Sequence, residues 1–136
     1  MVCLDSDIII NILRNKEETI NLIKELKEKN YNFTTTAINA FELWKGIYGA
    51  GRKNEEKSLI KFLEKLKTLP LEEKASRKSA EIYERLKKEG NTLDLLDIMI
   101  ASIAIINDDQ LLTFNKNHFE RIKELDLFDI SNIAGN

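Results

Sequence analysis

Short apolar runs alternate with longer stretches of helical periodicity along the chain. Met1 to Leu4 is a brief apolar run ending at an acid, the pattern of a buried strand. Asp5-Ser6-Asp7 then offers capping side chains ahead of the apolar Ile8 to Leu13. If Asp7 takes the cap, Asp5 is free for other work. Helices are expected from Glu17 to Lys29, with Ile20, Ile23 and Leu26 on one face, and from Ala37 to Tyr48, closing at Gly49 to Gly51. Further helices are expected from Glu55 to Lys67, from Ala75 to Lys88 and from Leu93 to Ile106. The last is apolar nearly all round, so it should be central. Strands are expected at Phe33 to Thr36, at Thr68 to Leu71 on a sheet edge because of Pro70, at Gln110 to Thr113 and at Leu127 to Ser131. Asn115 to Glu124 reads as a short helical turn or two. The alternation predicts an α/β fold, a parallel sheet covered by helices on both faces. In such sheets chemistry gathers beyond the carboxyl ends of the strands.

The chain has 136 residues, one domain's worth, and no stretch in it reads as a linker, so a single domain over 1–136 is expected. With 21 Lys and Arg against 23 Asp and Glu, the net charge of -2 excludes a nucleic-acid binder held by its overall field, though not a local basic path. The single cysteine, Cys3, excludes an internal disulfide or a cysteine-rich zinc site. The longest apolar stretch, Ile98 to Ile106, is too short to span a bilayer. No export signal is recognisable, so a cytoplasmic location is expected.

Acids stand at three strand-to-helix junctions. Asp5 follows the first strand, Glu42 lies one to two turns into the helix after the second, and Asp97 lies in the apolar Leu93 to Ile106 segment. Asp94, three residues before Asp97, would share its helix face. Buried carboxylates that converge repel one another, and a cation relieves this by direct ligation. Oxygen donors with few nitrogens suit Mg²⁺ or Mn²⁺, ions that hold phosphate and activate water. The residues alone therefore point to a metal-dependent phosphodiesterase or phosphatase. Gly46 to Lys53 has glycine spacing close to a phosphate-binding loop, but Arg52 stands where Lys is needed and the segment ends a helix, so it reads as a helix stop. Trp44 and Tyr48, four apart, read as packing residues.

Four blocks, Leu4 to Ile10, Phe41 to Gly46, Leu96 to Ala101 and Leu112 to Phe119, together resemble the PIN-domain ribonucleases, and more closely the VapC toxins of toxin–antitoxin pairs. The resemblance implies a three-layer α/β/α sandwich and an acidic cluster binding Mg²⁺ or Mn²⁺ for RNA cleavage. It implies Asp5, Glu42 and Asp97 as catalytic metal ligands. Asn115 matches a position that the family fills with Asp or Asn, while His118 stands where it usually has Asp or Glu. Asp94 is the candidate to make up that missing carboxylate, and Ser6 and Thr113 are accessory candidates. Arg14, Lys45, Arg52, Lys53 and Lys116 are candidate RNA contacts. The resemblance also implies a homodimer and an antitoxin protein that occludes the site. Two other readings stay open: a PIN scaffold that binds RNA or a partner without cutting, and an aspartate-nucleophile phosphatase built on Asp5 and Asp7.

Overall fold

The computed structural model describes residues 1–131; residues 132–136 of the expected domain lie outside them. Four strands, β1 (Val2–Leu4), β2 (Phe33–Thr36), β3 (Lys67–Leu69) and β4 (Gln110–Leu112), form a parallel sheet in the order β3-β2-β1-β4. The register aligns Val2 with both Phe33 and Gln110, and Leu4 with Leu112. From β1 the chain steps outward to β2 and β3, then returns to place β4 on the other side of β1. The order therefore reverses at β1 and β4, where the carboxyl ends of an open sheet leave a crevice.

Period-two side-chain alternation divides the core. Val2, Leu4 and Leu112 point to one face, with Ile8, Ile9, Leu26 and Leu59 from α1 (Ser6–Leu13), α2 (Glu17–Glu28) and α4 (Glu56–Glu64). Cys3 and Leu111 point to the other, against Ile82 and Leu86 of α5 (Glu73–Lys88) and Ile98, Ala101 and Ala104 of α6 (Leu95–Ile106). These are the two outer layers of the expected sandwich. Truncating Leu4 or Leu112 to alanine would cost about 2–5 kcal/mol, the range for buried leucines.

α3 (Ala37–Ala50) starts at Thr36, whose hydroxyl accepts the Asn39 N–H, and stops at Gly51, which takes the left-handed conformation at φ 66°. The glycine-rich segment is thus a helix terminus, as its sequence indicated. A 3₁₀ turn (Lys53–Glu55) leads into α4, and α7 is short (Lys116–Phe119).

Two expectations need correction. Leu127 to Ser131 is not a strand: one parallel bridge joins Leu127 to Leu111, made by the Leu111 N–H to Asp126 and the Phe128 N–H to Leu111. Beyond it Phe128 is buried, edge-on to Tyr31, and the Asp129 carboxylate accepts from the Ser131 N–H and hydroxyl, so a local turn replaces further pairing. Second, α6 begins at Leu95, not Leu93, which puts Asp94 at its N-cap position.

Candidate active site

Asp5 leaves the end of β1 directly into α1. Its Oδ1 accepts the Ser6 N–H at 2.8 Å, so Asp5, not Asp7, is the N-cap. It remains central to the site while capping. The same Oδ1 accepts from Asn39 Nδ2 at 3.0 Å, and Oδ2 accepts from Thr113 Oγ1 at 2.7 Å, with the side chain only 7% exposed. Glu42, in the second turn of α3, accepts the Ser6 hydroxyl at 2.7 Å on Oε1. Thr113 follows β4, and its Oγ1 accepts the Asn115 N–H at 3.0 Å. Asp5, Ser6, Glu42 and Thr113 are thereby tied into one network.

Because α6 follows α5 and no strand, the expected third strand-to-helix junction is a helix-to-helix one. Asp97, in the first turn of α6, faces a second group. Its Oδ2 lies 3.7 Å from His118 Nδ1, a contact that becomes an ion pair only when the ring is protonated. Asn115 Nδ2 sits 2.8 Å from the same ring nitrogen. Asp94 stands exposed at the N-cap of α6 with no side-chain capping bond, three residues before Asp97.

Crowded negative charge marks the cluster. Burial pushes the Glu42 carboxyl above its ordinary value; Asp5, Asp97 and Asp94 push the same way, against the Ser6 hydrogen bond. Asp97 is raised by burial, then by Asp5 and Asp94, with His118 opposing. Asp7 is pushed up to about 6, first by burial and then by Asp5. Its Oδ2 accepts the Phe114 N–H at 3.0 Å, whereas Oδ1 is buried without a partner among the described residues. Hard oxygen donors whose charges oppose one another suit a divalent cation. As the side chains stand, no three Asp, Glu, His or Cys among the described residues share a point from which all could ligate one ion. The fit therefore lies in donor chemistry and charge.

Among the expected RNA contacts, Arg14 and Arg52 line a small cavity of about 70 Å³ together with Glu42. Arg52 also pairs with Glu55 at 3.7 Å, and Lys116 lies 3.9 Å from Asp129. Lys45 and Lys53 are exposed and have no ion pair among the described residues. Trp44 and Tyr48 stack on each other at 5.6 Å; Trp44 packs against the core and Tyr48 is exposed.

Sequence reasoning missed Asn39, and gave Asp7 no role beyond capping or the second acid beside an Asp5 nucleophile. Asn39 carried a signal: it is polar in an apolar stretch, three residues after the cap Thr36 and three before Glu42, on one helix face. Nothing in the sequence set Asp7 apart from an ordinary helix-start acid.

The family model for the PIN domain matches residues 2–125, and the chain belongs to that family. More particularly, it is similar to two relatives from Methanocaldococcus jannaschii. Ribonuclease VapC1 is 36% identical over 91 residues, 67% of this chain and 67% of the relative. Ribonuclease VapC3 is 34% identical over 100 residues, 74% of this chain and 94% of the relative. Among solved structures it resembles one of VapBC2 from Rickettsia felis bound to a DNA fragment from their promoter. There the TM-score is 0.85 at 26% identity, over 94% of this chain and 98% of that one. The expected PIN-like α/β fold is thus borne out. PIN-domain ribonucleases generally depend on a divalent metal.

Proposed function

We propose that this chain is the endoribonuclease toxin of a toxin–antitoxin pair, hydrolysing RNA phosphodiester bonds with Mg²⁺ or Mn²⁺. The observation that carries it is the tethering of Asp5 and Glu42, through Ser6 and Thr113, at the β1–β4 crevice of a chain whose relatives are named Ribonuclease VapC.

Asp5, Glu42 and Asp97 hold the cation, with Asp94 and Asn115 supporting from outside. A cation held by these carboxylates would supply activation of the attacking water and stabilisation of the leaving oxygen. Ser6 and Thr113 fix the carboxylates they touch, which prearranges the donors. His118, beside Asp97, lies near the phosphate. Arg14 and Arg52 stand at the Glu42 edge of the site, where they offset charge on an RNA strand; Lys45, Lys53 and Lys116 add positive charge around it. The partners are RNA, an antitoxin and a second copy of the chain, in the cytoplasm. The VapBC assemblies among the similar structures favour the antitoxin. Among the described residues no helix is long and apolar enough to cross a membrane.

The phosphatase reading would need Asp5 Oδ2 as the nucleophile, and no observation at the site favours it over the ribonuclease reading that the relatives support. The separation of the candidate ligands and His118 in place of an acid are the features that favour a non-cleaving scaffold. One experiment decides. The wild type should cleave RNA with Mg²⁺ or Mn²⁺ and stop with chelator, and Asp5→Asn should lose cleavage by more than about a hundredfold, beyond the usual effect of an outer-shell change. It should stay folded, because asparagine also caps helices. Wild-type protein that binds RNA but leaves it intact would establish the scaffold, and Asp5→Asn cleaving at the wild-type rate would remove Asp5 from the site.

A further inference from the structure

Asn39 lies one turn before Glu42 on α3 and is fully buried. Its Nδ2 donates to Asp5 Oδ1 at 3.0 Å and to Ser6 Oγ at 2.9 Å. Its Oδ1 accepts from Thr36 Oγ1 at 2.7 Å, and Thr36 Oγ1 accepts the Asn39 backbone N–H at 3.1 Å. Every side-chain polar atom of Asn39 is thus engaged. The amide's orientation is dictated, because an ionised Asp5 can only accept and so requires the NH₂ to face it.

That orientation controls a second carboxylate. Ser6 Oγ carries one hydrogen. With Asn39 donating into its lone pair, that hydrogen is directed to Glu42 Oε1, 2.7 Å away. Asn39 therefore grips Asp5 directly and Glu42 through Ser6, using neutral donors where another acid would add repulsion. Thr36 at the start of α3 anchors the amide to the end of β2. The two carboxylates come from separate strand-to-helix junctions; Ser6 links them through its N–H and hydroxyl, and Asn39 holds both Asp5 and that hydroxyl in place.

We propose that Asn39 is a positioning residue, setting the spacing and rotamers of Asp5 and Glu42 for the divalent cation; this rests on the metal-dependent reading of the same site. Outer-shell donors of this kind change metal affinity or activity by about 10–100-fold when removed. Asn39→Leu keeps the volume but leaves Asp5 one donor short and lets the Ser6 hydroxyl turn. Ser6→Ala removes only the arm to Glu42.

The test titrates Mn²⁺ into the wild type, Asn39→Leu, Ser6→Ala and Thr35→Val, with heat of binding as the readout and thermal unfolding recorded beside it. Thr35→Val is the control, because it removes a buried bond to the Leu4 carbonyl, 2.9 Å, and touches no carboxylate. Asn39→Leu should weaken Mn²⁺ binding about 10–100-fold, with Ser6→Ala weakening it less. Thr35→Val should lower the unfolding midpoint yet keep wild-type affinity. In RNA cleavage, Asn39→Leu should lower kcat with KM unchanged. An Asn39→Leu protein that binds Mn²⁺ as tightly as Thr35→Val overturns the proposal. If Asn39→Leu does not fold, Ser6→Ala decides: unchanged affinity there overturns the relay to Glu42. A wild type that binds no Mn²⁺ defeats the metal reading together with this proposal, whereas normal wild-type binding matched by Asn39→Leu defeats this proposal alone.

Discussion

Thr113 Oγ1 donates to Asp5 Oδ2 at 2.7 Å across 108 residues of sequence, joining the end of β4 to the end of β1. Its one hydrogen is committed there, so the 3.4 Å approach of the same oxygen to Asp7 Oδ2 carries no second full bond. Thr113→Val would leave the Asn115 N–H without its acceptor and Asp5 short of a donor. The expected cost is about 1–3 kcal/mol of stability, with cleavage reduced about tenfold or more. Thr113→Ser should restore most of both. Denaturant midpoints and initial rates on one RNA would check this; a valine variant equal to wild type in rate would mean that the bond does not organise the site.

Asp7 makes stability depend on pH. Its carboxyl is pushed from 3.8 up to about 6 in the folded protein, so the folded state holds the proton more tightly than the unfolded one. Asp7's contribution to stability is then greatest below pH 3.8, falls as pH rises through the interval up to about 6, and levels off above it. Asp7→Asn keeps an oxygen for the Phe114 N–H and removes the charge. At pH 7.5, in chelator, it should gain about 1 kcal/mol, a figure reduced for solvent screening of a partly exposed group. The gain should vanish near pH 3.5. Parallel stability curves for wild type and variant across that range would contradict the assignment.

His118 and Asp94 are opposite tests of the same charge balance. Asp94 adds negative charge felt by Glu42 and Asp97, so Asp94→Asn should weaken cation affinity severalfold. His118→Asp should preserve or increase Mg²⁺-dependent cleavage by restoring a hard oxygen donor. It should also lower stability without metal, because the new acid would face Asp97. An unaltered affinity in the first variant together with abolished cleavage in the second would assign His118 a role of its own.

RNA grip should depend on salt in proportion to the cations that meet phosphate. Lys45 is exposed, and Lys116 is held only by a loose 3.9 Å contact to Asp129. Replacing both with glutamine should reduce the slope of log affinity against log salt by about 1.4, at roughly 0.7 per contact for single strands. Filter binding with uncleavable RNA from 50 to 300 mM salt, roughly the range over which such slopes develop, would measure it. An unchanged slope would place both lysines away from the strand.

The positions of Asp5 and Glu42 were legible because alternating strands and helices force a parallel sheet, and the two acids lie at the end of β1 and in the helix after β2. Asp97 follows no strand, since α6 comes directly after α5, and stood out only as an acid in an apolar helix. What was not legible needed side-chain geometry. The spacing of Asn39 from Thr36 and Glu42 marked its helix face, but its role came into view only with the hydrogen bonds from its amide to Asp5 and Ser6. Leu127, Phe128 and Ile130 carried a strand-like apolar pattern, yet Phe128 and Ile130 pack into the core through their side chains without a continued ladder. Burial and strand pairing leave similar marks on a sequence. The start of α6 was misplaced for a smaller reason: the apolar pattern includes Leu93, but the helix begins two residues later, with Asp94 at its cap.

Placing β1 between β2 and β4 also affects when the protein can act. β1 is made before the other three strands yet is the last to gain its full set of neighbours, since its β4 partner begins at Gln110. Loop-closure entropy opposes so distant a pairing until most of the intervening chain has condensed. A nascent chain stopped before β4 would carry Asp5, Glu42 and Asp97 but lack Thr113 and the strand that closes the crevice. Completion of the site is thus deferred until β4 has been made, a built-in delay for a polypeptide made beside abundant RNA.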